Sequence, residues 1–298
     1  MGQIYGVSGM SASPVNSITA NGFRLTLTSG LPVTVADIAT ATTIYFTPYT
    51  HNTIGLYDGS SWRTKAYSEA ALVLSGLTAN LVYDVFAYDA AGVLTLEAVA
   101  WASTSARDKA IERLAGVWIK SIDPTKRYVG TFRTLSATET ADSDEKRYLW
   151  NVDNRVSRNL RAQSTTATYT LASATAWRLA ENSQNNKAYF VTGLSEDSVF
   201  ATNLSCFYGN NVSLAAGVSI GLDALTPHAY ATSPLQAVIT INNDDLSACA
   251  SLSAIPGIGA HYLARLEMTV GTGTVTFDQN YTSGAYRIFS QLTAHWRC

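Results

Sequence analysis

Charged residues are scarce in this chain. Only 14% of its 298 residues are charged, and the formal net charge is −2. Proteins that bind nucleic acid or anionic membranes through their overall field need a clear basic excess, which is missing here. No apolar run approaches the roughly 20 residues needed to cross a bilayer, and the opening MGQIYGVSGMSASP lacks the pattern of a signal peptide. We therefore expect neither nucleic-acid binding nor membrane insertion.

Catalytic and metal-binding motifs are also missing. The sequence has no GxSxG, HExxH or P-loop motif, and Asp244-Asp245 is more typical of a turn than of a catalytic pair. Cys206, Cys249 and Cys298 show no metal-ligand spacing. We predict no enzymatic activity, no cofactor and no metal site. Cys298 is a candidate for an interchain disulfide, provided that the C-termini of several chains meet at a symmetry axis.

Strand-forming patterns are abundant. Phe23, Leu25 and Leu27 alternate with polar residues, and a similar alternation recurs from Tyr83 to Tyr88. After residue 162, apolar segments are separated by Gly-, Asn-, Asp- and Pro-rich clusters without helical intervals. We predict an all-β fold with two antiparallel β domains, of which the C-terminal one is a sandwich similar to a jelly roll.

The predicted organisation has three parts. Residues 1–20 form an extended arm, residues 21–161 an N-terminal β-rich module, and residues 162–298 the C-terminal sandwich. One short helix is expected in the first module, because Ser105 and Asp108 have the spacing of a capping box and Gly116 follows as a stop signal.

Two polar segments of the first module are predicted to lie outside its strands. The DPTK sequence at 123–126 is expected to be a turn, and residues 136–146, SATETADSDEK, an exposed loop.

Tyrosine and tryptophan are numerous, with 16 and six copies. Their rings combine an apolar body with a polar group, which suits wet protein interfaces and saccharide stacking. Tyr45, Tyr49, Tyr57 and Trp62 are therefore candidates for an interface or a glycan-binding surface. The alternative is that they pair across strands inside the fold.

Three arginines recur at intervals of three residues in NRVSRNLR, at Arg155, Arg158 and Arg161. A phosphate-binding patch and a set of ion pairs are both consistent with this spacing. Because the chain has no basic excess and no aromatic residues are interleaved, we favour interdomain or intersubunit ion pairs.

Two groups of segments resemble structural proteins of tailed phages and prophages. TTIYFTPYTHNTIGLYDGSSW, YDVFAYDAAGVLTLEAVAW and DPTKRYVGTFRT are similar to an N-terminal module of such proteins. IPGIGAHYLARLEMTVGTGTVTFDQN and the closing SQLTAHWRC are similar to the β-sandwich that often accompanies it. The resemblance implies a virion component of the fibre, spike or decoration type, located on the particle and usually homotrimeric. It supplies no catalytic residues.

Three functions follow as expectations. The leading one is a head- or tail-fibre, spike or adaptor subunit that docks on other phage head, neck or tail proteins by its N-terminal part and projects the sandwich for host attachment. The second is a module that binds host-surface polysaccharide. The third, less favoured, is a polysaccharide-degrading enzyme.

Overall fold

The protein is almost entirely β-structure. A computed structural model describes residues 18–211, 214–232, 235–238, 245–283 and 286–298. Most of the predicted arm and Asp244 lie outside these ranges. Within them, the helical segments are two single 3-10 turns, Ala180–Asn182 and Gln184–Asn186. The predicted all-β fold class is confirmed.

Short strands make up the N-terminal half. They are β1 (Phe23–Thr26), β2 (Ile38–Ala41), β3 (Thr43–Pro48), β4 (Thr53–Tyr57), β5 (Trp62–Ala66), β6 (Ala70–Val73), β7 (Val82–Ala90), β8 (Val93–Ala100), β9 (Ile111–Leu114), β10 (Val117–Lys120), β11 (Asp123–Arg133), β12 (Thr140–Ser143), β13 (Lys146–Arg147) and β14 (Leu149–Asn151). One sheet has the order β1-β3-β6, and another the order β8-β7-β11-β10-β9, with β14 beside β11. Strands β4 and β5 form a separate antiparallel hairpin.

The sheet built around β7 and β11 is buried on both faces. On β7, Tyr83 and Val85 point into a core shared with β1 and β3, whereas Val82 and Phe86 point into a second core shared with the C-terminal half. Successive side chains of a strand face opposite sides of the sheet. Strand β7 is therefore buried along most of its length, because its alternate side chains enter two different cores.

Longer strands form the C-terminal half. They are β15 (Ser157–Ala162), β16 (Thr168–Leu179), β17 (Lys187–Thr192), β18 (Val199–Gly209), β19 (Ala215–Leu222), β20 (Ala231–Thr232), β21 (Leu235–Val238), β22 (Leu246–Ala254), β23 (Gly259–Asp278), β24 (Asn280–Ser283), β25 (Tyr286–Phe289) and β26 (Gln291–Arg297). The long strand β23 pairs with β16, β17, β18 and β19. Strand β18 continues to β22 and β26, and β26 to β15. The jelly-roll order of these strands remains a prediction.

The two halves share backbone pairing and a core. Strand β13 runs parallel to β17, and β15, within which the predicted boundary at 161/162 falls, pairs with the last strand. Tyr128 and Trp150 of the first half pack in one core with Phe190 and Trp296 of the second. A Cβ on Gly193 would lie only 2.0 Å from the Tyr128 hydroxyl, so the close approach of the halves requires glycine there.

The predicted helix after Ser105 is wrong. Residues 111–114 form β9, which pairs with β10 through a tight hairpin. Its turn residues, Ala115 and Gly116, have φ of 51° and 87°, which is the left-handed conformation that a two-residue hairpin requires. Gly116 therefore terminates a strand rather than a helix. Upstream, Arg107 extends its side chain to the buried Asp84, with Nε 2.6 Å from Oδ2.

The predicted turn at 123–126 is also wrong, and the predicted exposed loop at 136–146 is wrong from residue 140 onward. Residues 123–126 lie inside β11, and the turn precedes them at 121–122. Residues 140–143 form β12, with Thr140 and Asp142 buried. Asp142 tolerates burial because two arginines, Arg147 and Arg158, lie 3.0 and 3.3 Å from its carboxylate. Paired charges can be buried where single charges cannot.

Candidate functional site

The first arginine of the predicted triplet joins the two halves of the chain. Arg155 Nη2 lies 2.9 Å from Glu196 Oε2, and Nη1 contacts Asp197. Its guanidinium also lies 5.2 Å from the centre of the Trp150 ring. These contacts connect the loop after β14 with the loop before β18 within one chain.

The other two arginines have intrachain partners as well. Arg158 is buried and pairs with Asp142, while Arg161 is exposed and lies 3.9 Å from Asp144. All three arginines thus have carboxylate partners within one chain. Their predicted intersubunit pairing stays a prediction.

The four aromatic residues predicted from the sequence are not gathered at one place. Tyr57 and Trp62 pair across the β4–β5 hairpin, with ring centroids 5.6 Å apart. Tyr45 is half-buried on β3, and Tyr49 is exposed after that strand. Among the four, only the hairpin pair forms a ring contact in the described structure.

The last residue, Cys298, is buried. Its backbone exchanges two hydrogen bonds with Val156, at 2.9 and 3.1 Å, and its side chain belongs to the core shared by the two halves. Burial raises the pKa of the thiol to about 11. In this conformation the sulfur is inaccessible to another chain, so the predicted interchain disulfide would require the end of β26 to detach.

One outward face of the C-terminal sheet has no charge over two adjacent strands. Neither β18 nor β22 contains a charged residue. The residues that point outward there form cross-strand rows with one another: Phe200, Thr202 and Leu204 on β18, and Cys249, Ser251 and Ser253 on β22. Phe200 is 51% exposed and Leu204 is 39% exposed. We call these six residues the uncharged face.

A groove lies on a different part of the same sheet, where β17 and β23 meet the first half. Tyr189 and Tyr262 are cross-strand neighbours with ring centroids 6.1 Å apart, and Lys146 of β13 is in register with Tyr189. The groove has a volume of about 360 Å³. We call it the tyrosine groove; its lining is Thr104, Ser105, Arg133, Tyr189, Asp223, Ala260, His261 and Tyr262.

Cationic groups surround the two tyrosine rings. The Arg133 guanidinium lies 4.8 Å from the Tyr148 ring and 5.9 Å from the Tyr189 ring, and Lys187 Nζ lies 4.2 Å from the Tyr262 ring centre. The alternation of Lys187 and Tyr189 along β17 was visible in the sequence. Nothing in the sequence indicated that β13 and β11 would bring Lys146 and Arg133 beside them.

A histidine and a carboxylate meet at one edge of the groove. His261 Nδ1 lies 2.7 Å from Asp223 Oδ2, and Nε2 lies 2.9 Å from the carbonyl oxygen of Gly257. Both ring nitrogens therefore have an oxygen atom within hydrogen-bond distance. The contact with Gly257 connects His261 to the loop between β22 and β23, and the contact with Asp223 connects it to the end of β19.

A buried arginine fixes the start of the described chain. Arg127 donates to the carbonyl oxygens of Thr19, Ala20 and Gly55 at 2.9 to 3.1 Å, and to the Asp153 carboxylate at 3.1 Å. Burial lowers the pKa of this guanidinium. Residues 19 and 20 are thus attached to the centre of β11.

Over the described ranges, no group of three or more His, Cys, Asp or Glu side chains is arranged to hold a metal ion. The same ranges contain no helix with the length and apolarity needed to cross a membrane.

Comparisons with known proteins yield no family. No protein-family model matches the sequence, and no curated protein matches it. Among solved structures, the insecticidal delta-endotoxin Cry8Ea1 from Bacillus thuringiensis is similar with a TM-score of 0.26 and 7% identity over 91% of this chain and 51% of that one. A chain of the infectious bursal disease virus Gx strain has a TM-score of 0.26 and 11% identity, covering 93% of this chain and 71% of that one. This chain spans about half the length of the toxin chain. TM-scores this low support no conclusion about function.

Proposed function

We propose that this protein is a non-enzymatic structural subunit of a bacteriophage particle that assembles as a homotrimer. The proposal rests on the resemblance of its sequence segments to tailed-phage structural proteins and on the uncharged face. The face is the observation that favours assembly, since large apolar side chains are exposed there in the middle of a regular sheet.

The uncharged face has the chemistry of a buried contact. Protein interfaces are depleted of charge at their centre and enriched in aromatic residues, and Phe200 with Leu204 provides such a centre. Around them lie the small uncharged side chains of Ser251 and Ser253 on β22, which allow close approach of another surface. Burying these two apolar side chains removes their contact with water, which stabilises association.

We propose that another copy of the same chain covers the uncharged face. Contacts between identical subunits bring identical net charges together, and a patch without charge avoids that repulsion. Cyclic assemblies of identical chains are the commonest closed arrangement. The three-fold symmetry and the position on the particle come from the resemblance.

Light scattering tests the assembly. We expect a mass three times 31.9 kDa for the purified protein, and a single-chain mass for Phe200→Asp, because a carboxylate at the centre of the contact would be buried without a partner. Val93→Asp is the matched control, since Val93 is 65% exposed at the tip of the β7–β8 hairpin. A monomeric wild type at every concentration contradicts the proposal, and so does dissociation by both variants.

Deletion of residues 1–17 tests docking on the particle. The deletion retains Thr19 and Ala20, which are bonded to Arg127, so the purified variant should keep its oligomeric state and thermal stability. We expect it to be absent from particles assembled in infected cells, as measured by mass spectrometry of purified virions. Wild-type incorporation of the deletion variant would assign docking to another part of the chain.

A further inference from the structure

We propose that the tyrosine groove binds a saccharide bearing a carboxylate group. The inference does not depend on trimer formation, because the groove is built by one chain. It adds a ligand class and a location to the predicted role in host attachment, and it replaces the sequence-based candidates on the β4–β5 hairpin as the place of contact.

The first argument is the distribution of unpaired cations. Every exposed or half-exposed lysine or arginine whose side chain the structure describes has a carboxylate within 4.0 Å, except Arg133, Lys146 and Lys187. The two unpaired arginines that are buried, Arg24 and Arg265, bond instead to carbonyl, amide and hydroxyl oxygens.

The three exceptions lie on β11, β13 and β17, the strands at or next to the groove. Arg133 lines it, Lys146 is in register with Tyr189, and Lys187 lies over the Tyr262 ring. The Arg133 guanidinium donates from Nη1 to the Tyr148 hydroxyl at 2.6 Å and has no carboxylate within 4.0 Å among the described residues. A planar guanidinium without a carboxylate partner is suited to bind one from a ligand.

The second argument is the pair of half-exposed tyrosine rings. Tyr189 and Tyr262 stand side by side on the outer surface of β17 and β23, held by the regular ladder between these strands. An aromatic ring with a polar tip can pack against the C–H groups of a sugar and also bond to its hydroxyls. The volume of about 360 Å³ lies within the range of small-molecule sites, roughly 300 to 1,000 Å³.

The third argument comes from the carboxylate of Asp223. Its side chain is 41% exposed although it pairs with His261, so it can accept a hydrogen bond from a ligand hydroxyl. A phosphate backbone would be repelled at this point, whereas a sugar has neutral hydroxyls as well as its acid group. This juxtaposition favours an acidic saccharide over a nucleic acid.

The pocket beside the β4–β5 hairpin provides a natural contrast. It contains Tyr57, but its charges are already matched: Arg63 lies 3.1 Å from Asp58, and Lys65 lies 2.6 Å from Asp89. An acidic ligand would have to displace an existing carboxylate there. In the tyrosine groove, an acidic ligand could bind Arg133 without displacing a carboxylate of the protein.

Isothermal titration with defined saccharides tests the proposal. The acidic probes are trigalacturonate and 3′-sialyllactose, the neutral ones maltotriose and lactose, and an oligothymidylate represents nucleic acid. We expect at least one acidic saccharide to bind about tenfold or more tightly than its neutral counterpart and than the oligonucleotide. Absence of binding by both acidic saccharides, or tighter binding of the oligonucleotide, overturns the proposal.

Two matched pairs of variants locate the site. Lys187→Ala and Tyr262→Ala should each weaken binding of the acidic saccharide about tenfold, whereas Lys65→Ala and Trp62→Ala on the hairpin should leave it unchanged. Lys187 is a surface residue, so its replacement keeps the test valid even where Tyr262→Ala lowers thermal stability. Equal losses in both pairs, or a loss only at the hairpin, overturn the assignment.

The same titration on Phe200→Asp separates this proposal from the assembly. If the variant is monomeric and still binds the saccharide with the affinity of one wild-type site, the groove functions in a single chain. Loss of binding in a folded Phe200→Asp monomer would contradict a site built by one chain. Failure of the trimer proposal alone would leave the saccharide affinity unchanged.

Discussion

The uncharged face and the tyrosine groove belong to the same C-terminal sheet, but they differ in the distribution of charge. On β18 and β22 every outward side chain is neutral, whereas Arg133 and Lys187, which have no carboxylate partner, contact the rings of Tyr189 and Tyr262, and Lys146 is in register with Tyr189. A surface without charge can be buried against another copy at little electrostatic cost. A surface with unpaired cations stays hydrated until a ligand supplies the opposite charge. The contrast shows that the net charge of −2 does not indicate how charge is distributed among the surfaces of this protein.

The largest expected effect is on the core that supports both surfaces. Trp150 is fully buried and lies in the core shared by the two halves, so Trp150→Ala should lower the free energy of unfolding by about 3–5 kcal/mol. Denaturant titration followed by circular dichroism would measure this. Trp62→Ala, at a half-buried hairpin position, is the control and should cost much less. A small loss at Trp150 would mean that the halves are stabilised separately.

Charge substitutions should separate the two surfaces. Leu204→Asp is expected to weaken self-association by about 2–4 kcal/mol, because it buries an unpaired carboxylate at the proposed contact. Lys187→Glu should leave the assembly mass unchanged and weaken binding of an acidic saccharide by about 1–2 kcal/mol, since it reverses a charge beside Tyr262. Sedimentation velocity and calorimetry measure the two effects. If either substitution impaired both properties equally, the distinction between the surfaces would fail.

Salt concentration should distinguish the surfaces without any mutation. Raising sodium chloride from 50 to 500 mM shortens the screening length from about 14 to about 4 Å. We expect the saccharide affinity to fall about three- to tenfold over this range, because cations contribute to it. The oligomer mass from light scattering should remain constant, because the uncharged face has no charge to screen. An oligomer that dissociates with added salt would point to ion pairs, including those of Arg155 and Arg161.

The smallest effect is expected at Cys298. Because its thiol is buried and has a pKa raised to about 11, very little thiolate is present at pH 8. An aromatic disulfide reagent such as 5,5′-dithiobis(2-nitrobenzoic acid) should therefore label it only after denaturation. The wild type and Cys298→Ser should both migrate as single chains on non-reducing denaturing gels, and light scattering should give the same oligomer mass for both. A covalent dimer that forms in the wild type and is absent from the variant would support the disulfide instead.

Much of the fold was readable from local sequence patterns. Alternation at Phe23–Leu27 and Tyr83–Tyr88 predicted strands that the structure contains. The helix after Ser105 was predicted wrongly because capping and spacing signals are local. The choice of a hairpin depends on the left-handed turn at Ala115–Gly116 and on pairing with β10. Tertiary context overrides local propensity in such short segments.

The candidate sites were harder to predict, for a related reason. Arg133, Tyr189 and Tyr262 are far apart in sequence, and the pairing of β13 with β17 that brings Lys146 to them is parallel and only two residues long. The uncharged composition of β18 and β22 was visible in the sequence, but which side chains point outward depends on register. A one-residue slip would exchange the two faces of a strand.

The anchoring of the amino end by Arg127 has a mechanical consequence. A pulling force that reaches Thr19 and Ala20 acts on carbonyl oxygens that are bonded to the guanidinium. The guanidinium belongs to β11, which lies between β7 and β14 in the middle of its sheet. Extension is thus resisted by β11 in the centre of the protein and also by β4, whose Gly55 N–H donates to the Ala20 carbonyl oxygen at 2.9 Å. A load that arrives at Thr19 and Ala20 is therefore carried by β11 and β4 before it reaches the strands of the C-terminal half.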